Sequence, residues 1–198
     1  MAARIKNLAR PRFWPGSKAT STGDAVNLTW ITAHVAVGGR ISDSEAGRLG
    51  SDERVGAVVD LRSEAVDEAS VLTRQGIAFL HLPTDDHAAI TPAMLERGVA
   101  FAREHLAVGR RTLIHCEHGI GRSATLALAV LVSEGLTPLD ALNLAKDRRE
   151  RVSPSPAQYA CWRDWLAAWK ASRGERWDVP GFDAFAAIAY RHLATGAR

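Results

Sequence analysis

Residues 113–123 read Leu-Ile-His-Cys-Glu-His-Gly-Ile-Gly-Arg-Ser and join two apolar segments. The short apolar run at residues 112–114 is typical of a buried strand, whereas residues 124–133 have the alanine-rich pattern of a buried helix. The loop between them contains Gly119 and Gly121, which permit positive φ or a close approach to a ligand. The sequence therefore predicts a strand, a compact loop and a helix in direct succession.

The predicted loop carries two side chains with clear chemical potential, Cys116 and Arg122. A loop that leads into a helix N-terminus directs backbone N–H groups and the positive end of the helix dipole at one point, which favours an anion. Such a field can lower a cysteine pKa from about 8.5 into the range of about 3.5–7.5. The planar guanidinium of Arg122 can bind two oxygens of a tetrahedral oxyanion at once. A nucleophilic thiol beside this arginine indicates phosphoryl transfer through a thiophosphate intermediate.

Cys116, Arg122 and Ser123, with His115 before them, match a Cys-x5-Arg-Ser/Thr signature. This signature resembles that of the cysteine-dependent phosphatases, and residues 114–123 resemble their dual-specificity branch. The resemblance extends over about residues 28–169. It implies the phosphatase fold, a mechanism without metal or cofactor, and catalytic roles for the cysteine, the arginine and the serine. The substrate-binding residues that it implies are Glu117, His118, Gly119, Ile120, Gly121 and Arg122.

A second loop, at residues 81–87, contains the candidate general acid. A carboxylic acid that protonates the leaving oxygen typically contributes about 10²–10⁴-fold in rate. The spacing Pro-x-x-Asp-His resembles the acid loop of dual-specificity phosphatases, and that alignment selects Asp86. Asp85 remains the alternative, because the sequence does not show which carboxylate faces the pocket. We expect His87 to brace the loop.

Three residues near the nucleophile have accessory roles in this interpretation. The Ser123 hydroxyl is placed to hydrogen-bond the Cys116 sulfur, and it is also a candidate cap of the following helix; the two roles are compatible. His115 lies on the predicted strand, so we expect it to point away from the pocket and to form a structural hydrogen bond. His118 lies within the loop and either contacts the substrate or is solvated.

Polar residues farther from the loop have two interpretations each. Gln158 could orient the hydrolytic water, and Arg149 or Arg151 could add positive charge at the rim, but a solvated helix end is favoured for each. Asp60 and Arg62 lie at the end of a predicted strand and either border the site or form an ion pair with each other.

Strand and helix patterns alternate along the chain. Strands are predicted at residues 28–37 (as two short pieces), 55–61, 77–82 and 111–116. Helices are predicted at residues 42–50, 65–74, 91–106, 122–134, 138–149 and 156–170, with a further helical pattern at residues 177–198. This alternation predicts a single α/β domain with a central, largely parallel sheet flanked by helices, which binds ligands at the carboxyl ends of its strands.

The composition divides the chain into three parts. Residues 1–24 are basic and contain several Pro, Gly, Ser and Thr residues, which predicts a flexible arm that could make weak peripheral contact with acidic lipids. Residues 25–172 form the predicted catalytic domain. Residues 173–198 form a predicted C-terminal docking helix.

The overall composition is typical of a soluble globular protein. Of 198 residues, 46% are hydrophobic and 24% are charged, and the net charge of +3 is scattered, so we expect no nucleic-acid partner. No apolar run approaches about eighteen residues and no signal peptide is apparent, so we expect neither a membrane span nor export. Cys116 and Cys161 cannot form a disulfide framework, and a nucleophilic thiol needs a reducing compartment, which predicts the cytoplasm. No cluster has metal-ligand spacing.

The predicted function is that of a phosphomonoester hydrolase acting on phosphotyrosine, and also phosphoserine or phosphothreonine, in proteins. The alternative is a phosphoinositide or other phospholipid phosphatase, although Glu117, His118 and Ile120 stand where lipid-directed relatives often carry lysine or arginine. An alternative of another class is a non-catalytic module that binds phosphorylated ligands, and a sulfurtransferase is a further alternative enzyme. The physiological substrate and the oligomeric state are left open.

Overall fold

A five-stranded sheet forms the centre of the structure, a computed structural model that describes residues 26–194. The strands are β1 (Leu28–Trp30), β2 (Val35–Gly38), β3 (Val55–Arg62), β4 (Ala78–Thr84) and β5 (Arg111–His115). Their spatial order is β1-β2-β5-β3-β4, and only the β1–β2 pair is antiparallel. The basic arm predicted at residues 1–24, and the lipid contact considered for it, lie outside the described residues.

Eight helices connect and cover these strands in the described part of the chain. They are α1 (Asp43–Ala46), α2 (Ala69–Arg74), α3 (Pro92–Ala107), α4 (Arg122–Ser133), α5 (Pro138–Arg148), α6 (Pro156–Arg173), α7 (Phe182–Ala189) and α8 (Arg191–Ala194). The helices α3, α5 and α6 each begin with proline after a residue whose hydroxyl accepts a backbone N–H, which are Thr91, Thr137 and Ser155. No helix among residues 26–194 combines the length and apolar character that a bilayer crossing requires.

The two faces of the sheet pack against different helices. Alternate residues such as Val59 and Ile114 contribute to a large core with α3, α4, α5, α6 and α7. Their neighbours Val58 and Leu113 contribute to a smaller core with α1 and α2. The helix α4 lies within the large core, where every residue from Arg122 to Val132 is buried. The predicted single α/β domain with a largely parallel sheet flanked by helices is therefore confirmed.

Three predicted helices differ from those observed. The helix predicted at residues 42–50 starts where expected, with Ser42 as N-cap of a capping box, but it ends at Ala46, just before a glycine. The helix predicted at residues 65–74 begins only at Ala69, with Glu68 as its N-cap, because the preceding loop is held by contacts to Arg62 and Arg122. The described part of the pattern predicted at residues 177–198, up to residue 194, forms two short helices, α7 and α8, rather than one.

The fold brings three loops together at the carboxyl ends of adjacent parallel strands. These loops are residues 63–68 after β3, residues 85–91 after β4 and residues 116–121 after β5. Because β5 lies between β2 and β3, the loop that follows it is surrounded by the ends of neighbouring strands. The predicted nucleophile and the predicted acid both lie at this edge.

Candidate active site

Cys116 lies at the base of the catalytic loop, which we define as residues 116–122, and it is only 2% exposed. The backbone N–H of Gly119 donates to its sulfur at 3.3 Å. The Ser123 hydroxyl lies 3.3 Å from the same sulfur. These two groups are arranged to stabilise negative charge on sulfur.

The catalytic loop ends at the uncapped N-terminus of α4. Gly121 is the N-cap residue, and no side chain accepts a hydrogen bond from the first turn. Ser123 lies inside the helix and faces the sulfur, so the interpretation of its hydroxyl as a helix cap is wrong. The first-turn N–H groups and the helix dipole therefore remain available to an anion in the loop.

Arg122 is 1% exposed, and its guanidinium is bound by groups from the two other loops. Nη1 and Nη2 donate to the two carboxylate oxygens of Glu64, both at 2.8 Å, and Nη1 also donates to the Thr84 carbonyl at 2.8 Å. The hydrogen bonds from Arg122 lower the pKa of Glu64 to about 2. Nε of Arg122 is buried and has no partner among the described residues. The guanidinium is thus fixed in orientation and retains one free donor.

Glu64 is a site residue that the sequence did not indicate. It directly precedes the helix predicted at residues 65–74, and nothing in that pattern indicates a contact with Arg122. Only the fold brings this loop to Arg122, 58 residues later in the chain.

The two candidate acids occupy different positions in the loop after β4. Oδ1 of Asp86 lies 3.3 Å from Nη2 of Arg122, and the Asp86 side chain is half exposed. His87 has φ +60°, its Nε2 lies 3.5 Å from Asp86 Oδ2, and its carbonyl accepts the Ser155 hydroxyl at 2.8 Å. The carboxylate of Asp85 is exposed and forms no hydrogen bond or ion pair within residues 26–194. The geometry therefore brings Asp86, and not Asp85, to the arginine.

A buried charged network lies next to Cys116. Nε2 of His115 contacts Asp67 Oδ2 at 2.8 Å. The side chain of Arg62 donates twice to Asp60, at 3.0 and 2.9 Å, and once to Asp67. The Asp67 backbone N–H donates to Asp60 at 3.1 Å. Asp60, Asp67 and His115 offer metal-type ligand atoms within 4.8 Å of one another, but the guanidinium of Arg62 already supplies the compensating positive charge. His115 thus points away from the sulfur, and Asp60 and Arg62 form an ion pair.

Arg149 holds the catalytic loop by binding two of the loop's backbone carbonyls. Its side chain donates to the carbonyls of Gly119, at 2.8 Å, and His118, at 3.2 Å. It also donates to the Thr29 hydroxyl at 3.1 Å and the Asn27 amide oxygen at 3.0 Å. Arg149 is 7% exposed, so the solvated helix end expected for it is wrong.

Gln158 also lies against the catalytic loop rather than in solvent. It is 1% exposed, and a Cβ added at Gly121 would lie 2.3 Å from its Oε1. Its amide oxygen accepts the Ser155 backbone N–H at 2.9 Å in a capping box. The spacing Ser-x-x-Gln was the sequence signal that could have placed this side chain at a helix start. Arg151, by contrast, is exposed as expected.

The remaining loop residues have separate partners. Glu117 lies 3.8 Å from Arg40 and 4.0 Å from Arg62. His118 is exposed, and the Ile120 carbonyl accepts the Ser153 N–H at 2.9 Å. The loop contains no lysine or arginine before Arg122.

Several known proteins are similar to this chain in sequence. The family model described as "Dual specificity phosphatase, catalytic domain" matches residues 44–167. A rat phosphatidylglycerophosphatase and protein-tyrosine phosphatase 1 is 30% identical over 165 residues, which cover 76% of this chain and 86% of the rat protein. Mouse dual specificity protein phosphatase 2 is 34% identical over 76 residues, which cover 37% of this chain and 24% of that protein.

Solved structures of phosphatases are similar to this chain in fold. The crystal structure of PTPMT1 in complex with PI(5)P has a TM-score of 0.69 at 25% identity, and the match covers 74% of this chain and 98% of that one. The active form of Tk-PTP has a TM-score of 0.64 at 26% identity, with 70% and 95% covered.

Proposed function

Because this chain belongs to the dual-specificity phosphatase family and is a cysteine-dependent phosphatase, we propose that its reaction runs through a cysteinyl-phosphate on Cys116. The observation that carries this proposal is the buried sulfur between the Gly119 N–H and the Ser123 hydroxyl, in a loop that ends at the buried Arg122. In the first step the sulfur forms a bond to phosphorus as the ester P–O bond breaks. In the second step water attacks phosphorus and the S–P bond breaks, returning the thiolate.

Arg122 is proposed to bind the transferring phosphoryl group. Its Nε, which is buried and without a partner in the described residues, is the donor we assign to a phosphate oxygen. Glu64 keeps the guanidinium plane fixed, so that little ordering is required when the substrate arrives. A fixed guanidinium stabilises the charge on the equatorial oxygens in the transition state.

Asp86 is proposed to be the general acid and base. Its carboxylic acid would give a proton to the leaving oxygen in the first step, and its carboxylate would take a proton from water in the second. The distance of 3.3 Å to Arg122 supports this assignment. Ser123 would donate to the sulfur as the S–P bond breaks and so stabilise the departing thiolate.

The proposed substrate is a phosphorylated protein side chain, phosphotyrosine first and phosphoserine or phosphothreonine second. A phosphoinositide or other phospholipid is the second candidate. It is favoured by the similarity to a rat phosphatidylglycerophosphatase and to PTPMT1, whose crystal structure contains PI(5)P. A non-catalytic binding module is disfavoured, because Cys116, Arg122 and Asp86 are all present.

The proposed mechanism needs no metal ion and needs a reduced thiol. The sulfur is the nucleophile and the arginine stabilises the charge, so no step requires a Lewis acid. A nucleophilic thiolate is readily oxidised, so we propose that the protein acts in a reducing compartment such as the cytoplasm.

The test is hydrolysis of para-nitrophenyl phosphate by wild type and by Cys116→Ser, with Cys161→Ser as the matched control. We expect Cys116→Ser to lower kcat by at least about a thousandfold, and Cys161→Ser and added chelator to leave the rate unchanged. Retained hydrolysis in Cys116→Ser would contradict the mechanism. Rates on phosphopeptides and on phospholipid vesicles then decide between the two substrate classes.

A further inference from the structure

The segment between α5 and α6, residues 149–155, contacts both functional loops of the site, and we call it the support segment. It forms no helix or strand, so its shape depends on the contacts that it makes. Its arginine binds two carbonyls of the catalytic loop, and its Ser153 N–H donates to a third, that of Ile120, at 2.9 Å. Its Ser155 hydroxyl donates at 2.8 Å to the His87 carbonyl in the loop after β4. A shift of the support segment would therefore displace the nucleophile and the acid together.

The support segment is held in turn by the last part of the described chain, residues 180–194, which we call the clamp. The Tyr190 hydroxyl donates to the Pro154 carbonyl at 2.7 Å. The Ser153 hydroxyl lies 3.2 Å from the Ala189 carbonyl, which is one of its two acceptors. Two consecutive residues of the support segment are thus fixed by hydrogen bonds to the clamp.

Lys146, on α5, joins the support segment to the clamp. It is 1% exposed, donates to the Val152 carbonyl at 2.9 Å and lies 2.7 Å from Nδ1 of His192. It forms no ion pair with a carboxylate in the described residues, and burial lowers its pKa to about 8, with a further contribution from Arg191. A buried cation among neutral acceptors costs free energy, so stabilisation of the fold does not account for this residue. What its contacts do is connect three parts of the chain in one geometry.

The clamp is itself fixed on the main core. Phe185 is fully buried, with its ring centroid 4.7 Å from that of Tyr159. The Tyr159 hydroxyl donates to the Pro180 carbonyl at 2.8 Å. The dual-specificity phosphatase model ends at residue 167, so the clamp lies outside the part of the chain that it matches.

We propose that the clamp positions the catalytic loop for the reaction, with Tyr190 and His192 as positioning residues that act through the support segment. The support segment fixes the Ile120 carbonyl, and because the peptide unit is planar and trans, it also fixes the Gly121 N–H, which points in the opposite direction. A displacement of about 1 Å in such a loop can cost about 10² in rate. This inference rests on the proposed function, since the reaction that the clamp serves is hydrolysis through the catalytic loop.

The first experiment uses the two tyrosines of the chain, each of which binds a proline carbonyl through its hydroxyl. Tyr190→Phe releases the support segment, whereas the matched control Tyr159→Phe removes the same kind of bond without touching that segment. Kinetics on para-nitrophenyl phosphate are measured at a temperature where circular dichroism shows every variant to be fully folded. We expect kcat to fall about five- to tenfold in Tyr190→Phe with KM within about twofold, and kcat to stay within about twofold of wild type in Tyr159→Phe. Unchanged kcat in Tyr190→Phe, or equal losses in the two variants, would overturn the proposal.

The second experiment asks whether His192 acts through its acceptor atom or by filling space. Asparagine presents an amide oxygen close to the position of Nδ1, whereas leucine fills more volume but accepts no hydrogen bond. We expect kcat to fall by about threefold or more in His192→Leu and to remain within about twofold of wild type in His192→Asn. The opposite order, or equal kcat in the two variants, would show that His192 is not a positioning residue.

A third measurement does not depend on catalysis. The rate of alkylation of Cys116 by iodoacetamide is followed at pH 7 in a Cys161→Ser background, which leaves one thiol. We expect this rate to fall about threefold or more when Tyr190→Phe is added and to be unchanged when Tyr159→Phe is added. Equal rates in the two variants would contradict the clamp. Failure of wild type to hydrolyse any phosphate ester would instead contradict the proposed function, and the alkylation rates would still decide the clamp.

Discussion

Two carboxylates, Glu64 and Asp86, contact the guanidinium of Arg122, and their geometry differs. Glu64 accepts two hydrogen bonds at 2.8 Å, whereas Asp86 makes one contact at 3.3 Å and is half exposed. A bidentate pair fixes orientation, and a single longer contact leaves its carboxylate free to move. We therefore assign positioning to Glu64 and proton transfer to Asp86.

The substitution Asp86→Asn should reduce turnover more than Asp85→Asn, since only Asp86 contacts Arg122. We expect kcat for an alkyl phosphate, a poor leaving group, to fall by about 10²–10³-fold in Asp86→Asn. Asp85→Asn is the matched control and should remain within about threefold of wild type. The measurement is kcat on alkyl and aryl phosphates. A larger loss in Asp85→Asn would reverse the assignment.

The substitution Glu64→Gln should destabilise the protein in a pH-dependent way. The folded state lowers the pKa of Glu64 to about 2, from an ordinary value of 4.5. Its ionised form therefore contributes stability above pH 4.5, and this contribution is lost as the pH falls from 4.5 towards 2. Because the side chain is 41% exposed, we expect only about 1 kcal/mol in the free energy of unfolding at pH 7.

Urea unfolding at several pH values measures this difference between wild type and Glu64→Gln. The control is Glu96→Gln, an exposed position on α3 without an ion pair in the described residues. A wild-type advantage that persists unchanged at pH 2 would show that the charge of Glu64 is not its source.

At the scale of elements, the catalytic loop depends on glycine where it passes β2. Gly119 has φ +67°, and an added Cβ would lie 2.7 Å from the Gly38 carbonyl carbon and oxygen and 2.4 Å from Nη2 of Arg149. The positive φ disfavours any residue with a side chain, and the neighbouring atoms leave no room for a Cβ. The loop can therefore direct its N–H groups inward only with glycine at this position.

The substitution Gly119→Ala should lower kcat/KM by about a hundredfold, because displacement of the loop misaligns the sulfur and its donors. Gly109→Ala is the matched control: its φ is +75°, but no atom lies within 4 Å of an added Cβ. We expect this control to lose about 1 kcal/mol of stability and no activity. Steady-state kinetics with urea unfolding of both variants distinguish the two effects. Equal activity in both would contradict the steric account.

Local patterns predicted most elements, and long-range contacts explain the exceptions. The strand before Cys116, the helix after it and the helix starts at Thr91, Thr137 and Ser155 all depend on nearby residues, so the sequence was sufficient for them. Residues 65–68 were predicted to be helical but are not. Asp67 there binds Arg62 and His115, and that contact depends on the sheet rather than on local propensity.

At the scale of the whole molecule, the supports of the catalytic loop come from distant parts of the chain. The sequence indicated Cys116 and Arg122 because they lie within one motif. It did not indicate Glu64, 58 residues from its partner, or the contact of Asn27 with Arg149, 122 residues apart. Such pairs are set by the order of the strands, β1-β2-β5-β3-β4, which no short pattern encodes.

Because the side chains that hold the catalytic loop are far apart in the sequence, they also determine when during synthesis the enzyme can become active. The ribosome delivers the chain from its N-terminus at about 5–20 residues per second, so roughly 40 residues, or about 2–8 s, separate Cys116 from Gln158. Until Arg149 and Gln158 have emerged, the loop lacks two of the side chains that hold its shape. During that interval the Arg149 contacts that fix the Gly119 and His118 carbonyls are missing, so the Gly119 N–H is not yet held against the sulfur. The site is thus completed by side chains that are synthesised well after its cysteine.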